Sequence, residues 1–202
     1  MPVLPRQKAR AVLLTSPARA SDRTRLSELR AAIGEIGDDL DLTRLELLGA
    51  AADPAGDGAA SVRVNPIGAA GVDWAVELLA MYRAWAERTG RDVRERDDDA
   101  PGALLIDGPS TLQLLAGECG VHRRRLADRT ELLARVLVTS PDGAAPADAD
   151  PDVVVRVYEE GRRTGVKDPR TGTRSGALHD VLVEGRIEPF LVAALRDRGG
   201  AG

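Results

Sequence analysis

Aromatic residues are so scarce in this chain that their placement constrains where the core must form. Only five of the 202 residues are Trp, Tyr or Phe. Three of them, Trp74, Tyr82 and Trp85, recur with Leu78, Met81 and Ala86 at three- and four-residue spacing. That period lines one face of an α-helix. Asp73 stands where a carboxylate helps the orphan amides of a first turn, and Thr89-Gly90 ends the pattern. This helix is expected to anchor the core.

The flanking segments read as strands and shorter helices. Ser61-Val62-Arg63-Val64-Asn65 alternates like a half-buried strand, and Pro66 is expected to end it. Residues 92–96, 103–107, 132–139 and 153–158 are further strands. Ser110 opens a helix to about Ala116, and residues 189–196 close as a helix with Pro189 at a permitted first-turn position. Towards the start, residues 1–22 hold Pro2, Pro5 and Pro17 and read as a loose arm. Residues 23–55 read as a short helical segment of two helices. One carries Leu26, Leu29, Ile33 and Ile36 behind a Ser21-Asp22 cap, and the other runs from about Leu40 to Ala52 before Asp53-Pro54. Residues 56–198 form the main domain, interrupted by a Pro/Ala/Asp/Gly linker over 140–152 and followed by a tail over 199–202. Several connections are too short for crossover helices. The expected fold is α+β: a mixed, largely antiparallel sheet with helices packed on one face, preceded by a short N-terminal helical segment.

Composition narrows the function classes. A hydrophobic fraction of 43% with 30% charged residues is that of a globular chain. The single cysteine, Cys119, rules out an internal disulfide framework and fits a reducing compartment. The apolar run Ala11-Val12-Leu13-Leu14 is too short to span a membrane, so no membrane association and a cytoplasmic location are expected. A net charge of −4 argues against a generally basic nucleic-acid binder. Of 28 basic residues only Lys8 and Lys167 are lysine. That skew reads as GC-rich codon usage, although guanidinium forks would also suit phosphate or carboxylate pairing.

Two stretches resemble the bacterial class I peptide chain release factors, of the type that reads UGA and UAA. The first holds Gly68, Gly71, Asp73 and Trp74, then Met81, Tyr82, Trp85 and Ala86. Gly117-Glu118-Cys119-Gly120-Val121-His122-Arg123 continues the likeness. The second runs from Val155-Arg156-Val157-Tyr158 through Lys167-Asp168, Arg170-Thr171-Gly172, Val181-Leu182 and Gly185 to Phe190. The resemblance implies that residues 56–198 correspond to the family's decoding-side domain.

The departures bear on function. The family places water on peptidyl-tRNA with a Gly-Gly-Gln tripeptide. The only glutamines here, Gln7 and Gln113, do not follow two glycines. In the family a Ser-Pro-Phe codon-reading loop follows the Val-His-Arg segment. Here Arg124-Arg125-Leu126-Ala127-Asp128-Arg129-Thr130-Glu131 leads directly into a strand. Ser140-Pro141-Asp142 falls after that strand and reads as a turn, and the 140–152 linker stands where the family carries its hydrolytic domain.

No catalytic residue is assigned, and the chain is expected not to be an enzyme. Cys119 and His122 lie three apart, but nucleophilic chemistry needs an oriented base, and the pair reads as a turn with a half-buried thiol. One cysteine and two histidines are too few for structural zinc, and Asp97-Asp98-Asp99 reads as a solvated turn, so no metal or cofactor is expected. Gly161 to Lys167 has the outline of a phosphate loop without its Gly-Lys-Ser/Thr ending. Two basic clusters are the candidate RNA contacts: Arg123, Arg124, Arg125 and Arg129, and Arg162, Arg163, Lys167, Arg170 and Arg174. By resemblance these imply ribosome or ribosomal RNA as partner in a non-hydrolytic, translation-related role. The alternative is a protein-interaction module that has left translation, with a protein partner or a second copy on the exposed sheet.

Overall fold

A computed structural model describes residues 17–52, 58–96, 102–147, 149–162 and 164–199. The chain divides into two compact units, Met1–Asp41 and Leu42–Gly202. Asp97 to Asp99, Gln7 and Arg163 lie outside the described residues.

Helix α1 spans Pro17–Ala52 without interruption, where two helices behind a loose arm were expected. Its Pro17 sits at the helix start, the position that needs no backbone donor. Gly34 and Gly37 lower propensity, but a glycine costs only about 1 kcal/mol relative to alanine and does not stop a helix. Residues 17–22 therefore belong to the helix, and residues 1–16 lie outside the described part.

The second unit is an α+β fold around one eight-stranded sheet, with strands β1 (Ala60–Ile67), β2 (Asp92–Glu95), β3 (Ala103–Asp107), β4 (Gly120–Arg125), β5 (Glu131–Thr139), β6 (Val154–Glu159), β7 (Gly165–Lys167) and β8 (Arg174–Ser175). The strand order is β2-β3-β1-β5-β4-β6-β7-β8. Every pairing is antiparallel except β4 with β6. The sheet is thus mixed and largely antiparallel, as expected. Helices α2 (Val72–Arg88), α3 (Thr111–Leu115), α4 (Leu178–Leu182) and α5 (Glu188–Gly199) belong to the same unit, as do residues 42–52 of α1.

Helix α2 is the expected anchor: Trp74, Leu78, Met81, Tyr82, Trp85 and Ala86 are buried. They pack with Val62 and Val64 of β1, Ala134, Val136 and Val138 of β5, and Phe190 and Leu191 of α5. Pro66 does not end β1 but pairs with Ala134 inside it. Pairing with β3 stops at Arg63, so on that flank no ladder bond is asked of a residue without an N–H.

The chief local difference is β4. Arg123, Arg124 and Arg125 form the end of a strand between β5 and β6, where no strand was expected. Charged side chains hid the period-two pattern there.

Candidate nucleic-acid interface

Strand alternation divides the first arginine cluster. On β5, Ala134, Val136 and Val138 face the core, which leaves Leu133, Arg135, Leu137 and Thr139 on the opposite, open face. Arg123 and Arg125 share the open face through their register partners Leu133 and Glu131. Arg124 points the other way, its guanidinium 5.2 Å over the Trp74 ring. It donates to Glu160 at 2.8 Å and also pairs with Glu77. Burial opposes its charge, but the two carboxylates outweigh this and raise its pKa. Arg124 is a strut between β4 and α2.

Register also joins the two clusters. Across β5, β4, β6, β7 and β8 the partners run Leu133, Arg123, Val157, Lys167, Arg174. Arg123, Lys167 and Arg174 therefore occupy one row of the open face, with Lys167 and Arg174 about 5 Å apart by strand spacing. A surface cavity of about 360 Å³ borders this row, lined by Glu159, Thr164, Lys167, Arg174 and Ser175. Exposed Arg129 and Arg162 sit on the turns after β4 and β6. These turns are adjacent, since a Cβ on Gly161 would lie 3.7 Å from Ala127.

Not all of the candidate cations are available. Arg125 donates to Glu131 at 2.8 Å and Glu159 at 3.3 Å. Arg123 lies 3.8 Å from Glu131. Arg170 donates to Asp168 at 2.8 Å and to the Gly117 carbonyl at 2.8 Å, which turns it inward as a structural tie. Asp168 is buried, which alone would raise its pKa, yet Arg170 outweighs this and holds it below the usual carboxylate value. Among the described residues, Arg129, Arg162, Lys167 and Arg174 make no ion pair.

The open face holds further cations outside the two sequence clusters. Arg63 and Arg94 are exposed there, as β1 and β2 register through Leu105 and Ser61 of the same face. The alternation Val62-Arg63-Val64 carried the signal for Arg63. Arg135 is tied down: it donates to Asp152 at 2.5 Å and to the Pro151 carbonyl at 3.0 Å. Residues of the 140–152 linker thus lie against this face.

Behind the row is a buried polar network built from the resemblance motifs. Arg156 Nη2 donates to Glu118 Oε1 at 2.6 Å, and Tyr82 donates to Glu118 Oε2 at 2.9 Å. His122 contacts Tyr158 Oη through Nδ1 at 3.2 Å and the Glu118 carbonyl through Nε2 at 3.1 Å. A carbonyl can only accept, so Nε2 carries the proton and Nδ1 accepts from Tyr158. Burial drives the His122 pKa down to about 4 and raises those of Tyr82 and Tyr158. Arg156 Nε and Nη1 have no hydrogen-bond partner, but the guanidinium lies 4.2 Å over the Phe190 ring.

Cys119 and His122 do not face each other as nucleophile and base. The Cys119 sulfur receives the Val138 amide at 3.1 Å, while both His122 nitrogens are engaged as above. Gln113 lies within α3, where its backbone carbonyl accepts from Arg198 at 2.8 Å. Among the described residues no group of three His, Cys, Asp or Glu is placed to hold a metal ion, and no helix is long and apolar enough to cross a membrane.

No family model matches the chain, and no curated protein matches it in sequence. Among solved structures it is similar to RF2 of Thermus thermophilus, with a TM-score of 0.61 and 18% identity over 97% of this chain and 82% of that one. The chain therefore has a release-factor-like fold.

Proposed function

We propose that this is a release-factor-like protein that does not hydrolyse peptidyl-tRNA and that binds RNA, ribosomal RNA foremost, in the cytoplasm. The supporting observation is the row of Arg123, Lys167 and Arg174 on the open sheet face, continued by Arg129 and Arg162 at its end. A sheet face that presents Lys167 and Arg174 without ion pairs, next to Arg129 and Arg162, suits a phosphate backbone, which needs charge and position but no base readout. The net charge of −4 is a sum over the whole chain and does not set the local charge of the open face, where Arg63, Arg94 and Arg174 are exposed. The non-hydrolytic part of the reading is supported by the sequence, in which neither glutamine stands after two glycines.

Co-sedimentation with ribosomes and fluorescence anisotropy with single-stranded RNA across a salt series test the binding. Four phosphate contacts give log K against log salt a slope of about −3, and Lys167→Ala with Arg174→Ala lowers its magnitude by about 1.4. Absence of association at low salt overturns the reading. Stop-codon-dependent peptide release by the chain overturns the non-hydrolytic part.

A further inference from the structure

Helix α1 carries a second surface that the RNA-binding reading does not use. Leu26, Leu29, Ile33, Ile36 and Leu40 follow one another at alternating three- and four-residue steps and are 53%, 53%, 68%, 59% and 65% exposed. Five large aliphatic side chains in a single solvent-facing line are an interaction surface. The average step of three and a half residues is the seam of a two-helix coiled coil, not the wider stripe of a helix packed on a globular core. Packing of an apolar face, more than intrinsic propensity, is what stabilises most helices in proteins.

Charge selects the partner. Residues 17–30 hold Arg19, Arg23, Arg25 and Arg30 against Asp22 and Glu28. Residues 31–41 hold Glu35, Asp38, Asp39 and Asp41 with no basic residue. A helical stretch basic over 17–30 and acidic over 31–41 is complementary to itself when turned end for end. That arrangement has a two-fold axis, so each contact occurs twice.

We infer that residues 26–36 of α1 pair with the same segment of a second copy as an antiparallel coiled coil, making the protein a homodimer. In the register that stacks Leu26 on Ile36 and Leu29 on Ile33 of the second copy, all four layers are aliphatic. The same register sets Arg25 beside Asp39 of the second copy on the flank of the seam.

Sedimentation equilibrium on the full chain tests this. A dimer at micromolar concentration is expected. Ile33→Asp, which places a charge in two layers at once, weakens association at least about 100-fold. The melting of the second unit is unchanged in that variant and serves as its folding control. Arg25→Glu weakens the dimer by a few-fold, and Arg25→Glu with Asp39→Arg restores it. A chain that stays monomeric at about 100 μM overturns the inference. So does a dimer indifferent to Ile33→Asp, or a monomer that dimerises only when residues 1–16 are removed. Failure of the double swap to restore association overturns the antiparallel arrangement. None of these outcomes bears on RNA affinity per protomer, so this inference and the proposed function fail separately.

Discussion

Arg156 and Glu118 form an ion pair at 2.6 Å with both side chains fully buried, and this contact links β6 to the turn before β4. Taking two charges out of water costs much of what their attraction returns, so the pair contributes little net stability. Its loss from one side is another matter. Glu118→Ala strands the Arg156 guanidinium, which already has two nitrogens without hydrogen-bond partners. A loss of about 3–5 kcal/mol is expected, seen as a shift in urea midpoint at constant slope. Replacing both residues together, with Glu118→Gln and Arg156→Met, should cost less than Glu118→Ala alone. A single variant within about 0.5 kcal/mol of the parent contradicts this account.

His122 gives the fold a pH dependence. Burial lowers its pKa from 6.5 to about 4 in the folded state, so the unfolded chain binds the proton first as pH falls. Stability is therefore complete above the unfolded pKa and declines as pH drops from about 7.5 towards 4. Linkage gives a loss of about 2 kcal/mol between pH 7.5 and 5, before most carboxylates titrate. His122→Gln should flatten that part of the profile while lowering stability at pH 7.5. An unchanged slope in the variant means that some other group carries it.

Gly185 holds a positive φ of 64°, and a Cβ there would lie 2.3 Å from the Trp85 amide nitrogen on α2. Both strain and collision oppose any side chain, and the colliding atom is backbone. Gly172 has a similar φ of 75° with nothing within 4 Å. Gly172→Ala should cost about 1 kcal/mol, the left-handed strain alone. Gly185→Ala should cost clearly more, because α2 must shift. Paired thermal melts compare the two, and equal losses would mean that α2 moves freely.

These contacts explain which parts of the fold could be read from sequence. The α2 pattern was plain because burial on one face imposes a period on apolar residues. Gly71, Gly120, His122, Arg156 and Tyr158 were picked out by resemblance alone. The structure supplies the reason: the glycines admit backbone within 2.6 Å of a would-be Cβ, and the others share one buried network. Strand β4 was missed because three consecutive arginines obscure alternation, although their division between Glu77 and Glu131 is what alternation demands. The continuity of α1 was missed because Gly37 and the acids after it look like a break, yet cost less than a broken hydrogen-bond ladder. The charged row could not be read locally at all. Arg123 and Lys167 are brought together only by the parallel pairing of β4 with β6, which no short-range pattern announces.

The same division separates structural arginines from binding ones. Arg124 is held by Glu77, Glu160 and the Trp74 ring, so Arg124→Ala removes packing and leaves two carboxylates unmatched. It should lower stability by about 1–3 kcal/mol, the usual range for a partly buried charge-assisted tie. At temperatures where the variant is folded, its RNA affinity should be unchanged. Arg174 is exposed and makes no ion pair among the described residues. Arg174→Ala should leave the melting temperature within error and reduce the salt slope of RNA binding by about 0.7. Urea titration and anisotropy on the same two samples decide the matter. If Arg124→Ala weakens RNA binding while Arg174→Ala does not, the contact surface lies on the helix side of the sheet and the open-face row is not the binding site.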